Sequence, residues 1–505
     1  MEKTLIIKTN NNNCYLINME INIILCIHPC LFKIIKLVND GKEIVEIVSL
    51  ANNVEFRIEC GILNSQEILY YIKKYEFYSS LNWFDNSKGL SIEYADLGED
   101  DIDNAIANLN QLTFEVTDSC NLKCKYCGYG ELYNDYDKRD NTKLSIEKAK
   151  TIILLLQKKW ASSENKSKIG HTHIGFYGGE PLLNMQFIKE VIQFMDEINI
   201  KRKISYGMTT NGLLLKQNID FLASNNFSLL ISLDGNRFNN SYRLTNNGIE
   251  SFDSLYRILK EIQKEYPVYF DENIKFNAVI HNRNSIKDIY SFFKNEFNKT
   301  PSIGELNNSG IVENRKKEFN ELFKDAQESL YDSPNYIEIE NEMFEQTATY
   351  VSVTRFIHQF SGFTFSNYND FFKDSNYSLL FPSGTCIPFS KRLFLTVNGK
   401  ILPCERIGHQ FYLGTVNESS VELNTTLIVN RYNDWYNVIK KMCKSCYFQL
   451  LCTHCFFSDN IIDNEIKCKE HMNKLAFERN MKSYIEFLET HKYAYERIMH
   501  ELILN

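Results

Sequence analysis

The sequence predicts an α/β protein built on a parallel sheet, with a small N-terminal α+β module and a cysteine-rich C-terminal region. Three observations carry this. Strand-like and helix-like segments alternate between residues 112 and 280, the pattern of a parallel sheet with helical crossovers. Several of those strands run into a polar, glycine-containing loop, and in parallel barrels the chemistry sits at such strand ends. The 14 cysteines are uneven: three lie at 120–127, none lies between Cys127 and Cys386, and seven follow by Cys468.

In chain order, residues 5–8, 14–18 and 21–27 read as three short strands joined by Asn-rich turns. A helix follows at 30–39 with Ile34, Leu37 and Val38 on its apolar face, and another at 68–76. Cys14, Cys26, Cys30 and Cys60 read as small buried apolar residues, and Pro29 with the helix start argues against a metal site at Cys26, His28 and Cys30. Residues 112–117 form a buried strand that leads directly into the first cysteine loop. A helix is expected at 145–159 with Ser145 as N-cap, then a strand at 173–177 ending in Gly178-Gly179-Glu180-Pro181. A helix at 184–199 precedes a strand at 204–209 that ends in Thr210-Asn211-Gly212. A strand at 229–233 ends in Asp234-Gly235, and a helix at 251–265 precedes a strand at 275–280. Ser232 sits at one of these strand ends. Each loop alone is an ordinary turn; their shared order and position place them on one rim.

Cys120, Cys124 and Cys127 have the spacing Cys-x3-Cys-x2-Cys. Three thiolates on one tight loop suit three irons of a [4Fe–4S] cluster and leave the fourth iron open. A zinc loop or a set of buried thiols is the plainer alternative, but structural zinc needs a fourth ligand and no His or Cys follows closely. Further on, Cys386 and Cys404 bracket an Asn398-Gly399 pair, a hairpin signal. Cys443, Cys446, Cys452 and Cys455 follow as Cys-x2-Cys-x5-Cys-x2-Cys, then Cys468. Seven thiolates exceed one mononuclear site. They suit two polynuclear clusters with one ligand missing or supplied otherwise; two zinc sites are the alternative.

The formal charge is −8 and no long basic tract is present, which argues against non-specific nucleic-acid binding. No apolar run reaches membrane-spanning length, and residues 21–27 lack a basic flank and a cleavage site. A cytoplasmic protein is expected, without membrane partners, and in that reducing compartment the cysteines are metal ligands rather than disulfides.

Across residues 108–475 the sequence resembles the radical S-adenosylmethionine (SAM) enzymes, in the branch with a C-terminal SPASM domain. Cys120, Cys124, Tyr126 and Cys127 match the family's cysteine motif, and Gly178, Gly179, Glu180 and Pro181 match its GGEP motif. The C-terminal spacing matches SPASM with one departure, a final Cys-x2-Cys in place of Cys-x3-Cys. The resemblance implies a partial (β/α)6 barrel over 106–310, a helical bridging region over 311–380, a SPASM domain over 381–480 and a C-terminal helix over 481–505. It implies a [4Fe–4S] cluster on Cys120, Cys124 and Cys127, whose open iron is chelated by SAM. Gly178, Gly179 and Glu180 would receive the cofactor's amino group, Tyr126 would lie near its adenine, and Asn211 and Ser232 near its ribose or carboxylate. Arg243, in Asn239-Asn240-Ser241-Tyr242-Arg243, resembles the arginine of the family's His-Asp-x-Tyr/Phe-Arg segment, which pairs with the cofactor carboxylate. Asn stands here for both His and Asp, and a surface arginine is the alternative. Cys386, Cys404 and Cys455 would hold a first auxiliary cluster, one ligand short; Cys443, Cys446, Cys452 and Cys468 would hold a second.

Residues 1–105 are similar to the winged-helix domain with which peptide maturases capture a leader peptide by strand addition; a structural cap on the barrel is the alternative. The stretch 399–408 resembles peptide maturases of Bacteroidales and related anaerobes. The expected function is therefore maturation of a ribosomally made precursor peptide by thioether or C–C crosslinking. A low-potential donor such as flavodoxin or ferredoxin would supply electrons. A sulfatase-maturase-like formylglycine-forming enzyme and a non-catalytic iron–sulfur carrier or zinc scaffold are the competing readings. Asp234 and Glu305 are acid/base candidates, each equally readable as a turn or capping residue.

Overall fold

The structure, a computed structural model, describes residues 1–85, 90, 92–166, 170–198, 200–344, 347–360, 380–458, 461–462, 465–466 and 468–501. The N-terminal strands β1 (Thr4–Lys8), β2 (Cys14–Asn18) and β3 (Ile23–Ile27) form an antiparallel sheet in the order β1-β2-β3. Alternation along the strands gives this sheet two buried faces. Cys14, Leu16 and Ile27 pack with Leu31, Ile35 and Trp83. Leu5, Ile7, Ile17 and Met19 pack instead on Phe477, Met481 and Ile485 of the C-terminal helix Lys474–Thr490. Helix Pro29–Asn39 is buried on two sides, because Cys30 and Ile34 enter a separate core with Phe56, Cys60 and Ile68. His28 caps this helix by accepting the Cys30 N–H, and its ring stacks on Tyr71. The module is thus docked on the C-terminal helix.

Two helices run across expected domain boundaries. Helix Glu99–Ala107 runs through position 105 and packs against helices Ile146–Trp160 and Thr425–Cys443, so it belongs to the central layer. Its true start is Gly98, whose N–H is held by Asp101. Helix Lys474–Thr490 runs through position 480, starting at its N-cap Asn473, and a second helix follows at Lys492–Glu501. Helices Lys316–Leu322, Ala326–Tyr331, Tyr336–Glu342 and Ala348–Phe360 fill the first part of the expected bridge; its remainder, 361–379, lies outside the described residues.

The central sheet is built from β4 (Gln111–Thr117), β6 (His171–Gly178), β7 (Lys203–Thr210), β8 (Ser228–Ser232), β10 (Ile274–Val279) and β11 (Ser302–Gly304), all parallel to their neighbours. Each consecutive pair is joined through helix, as the sequence pattern implies. Ser145 caps Ile146–Trp160 by accepting the Glu147 N–H, a contact worth about 1 kcal/mol. Phe114 meets Phe187 of helix Met185–Glu197, so Leu112, Phe114 and Val116 face the helices and Thr113, Glu115 and Thr117 face the other way.

The Cys386–Cys404 segment contains the expected hairpin, β12 (Leu393–Leu395) with β13 (Lys400–Leu402). The sequence did not reveal where it goes. β12 pairs in parallel with β4, Leu393 opposite Leu112, and β13, β14 (Gly414–Val416) and β15 (Val421–Glu422) continue the ladder. The result is one ten-stranded sheet, β11-β10-β8-β7-β6-β4-β12-β13-β14-β15. Among the described residues, no helix is long and apolar enough to cross a membrane.

Candidate active site and cysteine centres

β4 delivers the chain into the first cysteine loop. Strand β5 (Leu122–Cys124) inside that loop pairs antiparallel with β9 (Arg243–Thr245), placing Cys124 opposite Arg243. The Lys125 N–H donates to the Tyr242 carbonyl (3.2 Å) and Asn246 Nδ2 donates to the Cys120 carbonyl (3.2 Å). The loop is therefore held by the segment that follows β8.

Cys120, Cys124 and Cys127 are all partly buried and sit in one another's field. Burial pushes the Cys124 thiol up to about 12, with Cys127 and Cys120 adding and Arg243 opposing. Metal ligation reverses this cost by replacing the proton with a cation. Among the described residues, no three His, Cys, Asp or Glu side chains converge on one metal ion. Three thiols on one loop suit a cluster, which binds each thiolate through a different iron.

The Gly178-Gly179-Glu180 turn lies directly on this loop. The Gly179 N–H donates to the Thr117 carbonyl and the Glu180 N–H to the Ser119 carbonyl, both at 2.8 Å. A Cβ on Gly178, whose φ is +127°, would collide with the Thr117 carbonyl, and one on Gly179 with the Ser119 carbonyl. The glycine pair is thus required for the contact. Glu180 is fully buried. Its carboxylate accepts from Thr210 Oγ1 (2.6 Å), the Asn211 N–H (2.8 Å) and the Leu182 N–H (3.1 Å). Burial nevertheless raises its pKa to about 7. Asn211 Nδ2 donates to Asn121 Oδ1 (2.7 Å) and lies 3.8 Å from Cys120 Sγ. These residues, drawn from three strand ends, meet as the sequence pattern placed them.

Arg243 is not a surface residue. Its Nε and one terminal nitrogen form a two-point contact with Asp234 at 3.0 and 2.9 Å. Asp234 also accepts the Val279 N–H (3.0 Å) and the Tyr126 hydroxyl. Burial alone would raise the Asp234 pKa, but Arg243, His281 and Tyr126 together hold it at about 2. Tyr126 lies with its ring 5.5 Å from the guanidinium and 5.5 Å from the His281 ring. Ser232 ends β8, half-buried, opposite Asn277. Asp234 is therefore a permanently ionised strut rather than an acid/base group. Glu305 is exposed and caps helix Ala326–Tyr331 by accepting the Ala326 N–H (2.8 Å).

A second buried carboxylate whose pKa is raised is Glu115, which the sequence reading passed over. It is 1 % exposed and accepts the Val397 N–H at 2.9 Å. Burial raises its pKa to about 7. The signal was present: a charged residue in the middle of an apolar strand, on the face opposite Phe114. Arg139 was also missed. It lies 3.7 Å from Cys127 Sγ and 4.5 Å over the Tyr129 ring.

The C-terminal thiols fall into groups. Cys443, Cys446, Cys452 and Cys468 line one small cavity together with Gln449, His454 and His471. Cys386 is drawn beside Cys455 by two bonds, from the Phe456 N–H to Thr385 Oγ1 (2.9 Å) and from the Gly384 N–H to the His454 carbonyl (2.9 Å). Cys404 follows β13, and its charge and that of Cys127 both reach the Tyr136 hydroxyl.

A model of the radical SAM superfamily matches residues 114–294. The radical SAM cyclopropyl synthase TigE of Paramaledivibacter caminithermalis is 32% identical over 188 residues, 36% of this chain and 36% of the relative. A cysteine-type anaerobic sulfatase-maturating enzyme of Clostridium novyi is 30% identical over 196 residues, 37% of this chain and 49% of the relative. The chain thus spans between about a third and a half of the length of these curated relatives. The solved structure of hexahistidine-tagged anSMEcpe with bound AdoMet shares the fold, with a TM-score of 0.50 and 20% identity over 78% of this chain and 96% of that one. Residues 114–294 therefore form a radical SAM domain, and the superfamily to which it belongs uses a [4Fe–4S] cluster together with S-adenosylmethionine.

Proposed function

We propose that this chain is a SPASM-type maturase that crosslinks a ribosomally made precursor peptide in the reducing cytoplasm, with a flavodoxin- or ferredoxin-type electron donor. The observation that supports a peptide substrate is the N-terminal sheet. β3 is an edge strand, paired on one side with β2 and with no other strand among the described residues. Such an edge offers a row of backbone donors and acceptors to an extended peptide, in the manner of a winged-helix-like capture domain.

In this reading Cys120, Cys124 and Cys127 hold the catalytic cluster, Cys386, Cys404 and Cys455 a first auxiliary cluster, and Cys443, Cys446, Cys452 and Cys468 a second. When bound, these groups and SAM would supply one-electron reduction, hydrogen-atom abstraction and an acceptor for the electron left on the peptide. Glu180 receives the ammonium of SAM: a cation beside this buried carboxyl lowers its pKa and fixes it as a carboxylate. Gly178 and Gly179 let this turn close on the cysteine loop, so that they and Glu180 face the same amino group. Asn211 and Ser232 orient the rest of the cofactor from their strand ends. Tyr126 borders the adenine, and Asp234 holds the Tyr126 hydroxyl in place. Asp234 also occupies one side of the Arg243 guanidinium, so a cofactor carboxylate would meet the remaining terminal nitrogen. A crosslink removes two hydrogens from the peptide, one as an atom and one as a proton. Glu115, with a pKa near neutrality, is suited to take the proton.

A second reading is supported by the relatives that mature sulfatases: oxidation of a Cys or Ser to formylglycine. Mass spectrometry of a co-expressed precursor separates the two. A crosslink and formylglycine made from Ser both lose two hydrogens, but only the crosslink joins two residues and suppresses the fragment ions between them, and formylglycine made from Cys also loses the sulfur. The enzyme class is tested by anaerobic reconstitution. If reduced protein with SAM yields no 5′-deoxyadenosine, with or without peptide, the radical reading is wrong. Cys124→Ala should abolish that product.

A further inference from the structure

We propose that Tyr432 and Tyr436 donate hydrogen bonds to the sulfurs of the iron–sulfur cluster held at Cys386 and Cys455, and thereby raise its reduction potential. The inference rests on the first auxiliary cluster assigned above.

The two tyrosines lie one turn apart on helix Thr425–Cys443 and so share a face. Both are 0 % exposed, and neither hydroxyl finds a hydrogen-bond partner among the described residues. Buried polar groups are almost always paired, and phenylalanine would fill the same space without a hydroxyl to satisfy. Two such hydroxyls on one face point to an acceptor that the described residues do not provide.

The surroundings indicate which acceptor. Both rings pack on Phe456, the residue after Cys455, with centroids at 6.0 and 6.1 Å, and Phe381 stacks on Tyr436 at 5.7 Å. Phe457 and Trp435 close the Tyr432 side at 6.0 and 5.3 Å. This wall is aromatic and offers no strong acceptor. The fields of the Cys455 and Cys386 thiols reach both phenols, together with those of Arg431 at Tyr432 and Asp101 at Tyr436; Asp101 already accepts the Gly98 N–H, and neither phenol hydroxyl bonds to it. The bonds from the Phe456 N–H to Thr385 Oγ1 and from the Gly384 N–H to the His454 carbonyl bring the two cysteine-bearing segments together. A cluster on them would present sulfurs to the two O–H groups. Hydrogen bonds to cluster sulfur favour the reduced, more negative state and so raise the potential. Tyr432 and Tyr436 would act as positioning and tuning residues, without touching the peptide.

The test uses full-length protein, reconstituted anaerobically, in a Cys120→Ala/Cys124→Ala/Cys127→Ala background that leaves the auxiliary clusters alone. Cys455→Ala identifies the relevant signal and its iron. If Cys455→Ala removes no iron, the cluster assignment itself fails. If it removes iron, redox-titrated paramagnetic resonance of Tyr432→Phe and Tyr436→Phe decides the present inference. Each variant is expected to make reduction of that cluster about tenfold less favourable, a fall of about 59 mV for one electron, while the other auxiliary cluster is unmoved. Unchanged midpoints, or both clusters shifting alike, would overturn it. Melting of metal-free and loaded protein provides an independent sign. Phenylalanine should leave the metal-free protein as stable or more stable and make the loaded protein less so. Equal destabilisation of both forms would mark the tyrosines as purely structural and refute the proposal.

Discussion

Asp234→Asn tests how the barrel is held together next to its chemistry. The substitution keeps the side-chain shape and removes one charge from a pair whose side chains are 0 % and 8 % exposed. Holding the carboxyl at about 2 against an ordinary value of 3.8 corresponds to about 2.5 kcal/mol. The variant also leaves the Arg243 guanidinium buried without its counter-charge, so the expected loss is larger, about 3–5 kcal/mol. For a domain of this size that is a fall in melting temperature of roughly 6–20 °C, measured by calorimetry on metal-free protein. Asp253→Asn is the control. It breaks an ion pair with Arg237 that is more than half exposed on both sides, and should cost under about 1 kcal/mol. Adding Arg243→Met to Asp234→Asn should recover much of the loss. Because the Asp234 pKa is depressed, its contribution is complete above pH 3.8 and is lost as the pH falls toward 2. The gap between variant and wild type should be flat from about pH 5 to 8 and close only below about pH 4. A loss no larger than that of the control, or a gap that shrinks across the flat range, would refute the reasoning.

Glu115 and Glu180 carry the opposite sign. Burial raises both carboxyls from 4.5 to about 7, so the folded protein holds protons that the unfolded chain releases. Stability should fall as the pH rises from about 4.5 to 7; Glu180→Gln should remove part of that slope and stabilise metal-free protein at about pH 8 by about 3 kcal/mol, read from melting curves across pH. Gly179→Ala forces a Cβ into the Ser119 carbonyl, so iron bound at the first cysteine loop should drop while far-ultraviolet circular dichroism is unchanged; full iron loading would count against the packing argument. Glu489 accepts from Thr9, Asn11, Asn13 and Tyr15. Glu489→Ala should free the β1–β2 turn by about 1–3 kcal/mol, seen as faster amide exchange at residues 9–15 with the central sheet unaffected.

Much of the central layer was legible because its signals are local. Alternation of strand and helix placed β4, β6, β7, β8 and β10 to within two residues, and Ser145 and the Asn398-Gly399 turn marked a helix start and a hairpin. The glycine pair at 178–179 could be flagged but not explained, since its reason is a carbonyl contact across about 60 residues. Pairings at long range were not legible. Nothing local says that β12 lies beside β4, that helix Glu99–Ala107 packs on a helix more than 300 residues later, or that the N-terminal sheet rests on helix Lys474–Thr490. Arg243 shows the limit of motif reading. The motif flagged Arg243, but it left Asp234 as an acid/base candidate or a turn residue and did not show that the two are partners. Glu115 was hidden because its strand was judged by its apolar face alone.

The pairing of Leu112 with Leu393 also has a consequence in time. At about 5–20 residues per second, β4 leaves the ribosome roughly 15–60 s before the strand that covers it. For that interval the first barrel strand has an open edge, the feature that invites wrong partners during synthesis. The first cysteine loop, which continues from β4, is likewise complete long before the C-terminal thiols exist. If Cys120, Cys124 and Cys127 hold the cluster as proposed, iron loading there can begin on a nascent chain, while the sheet beside it closes only after β12 has been made.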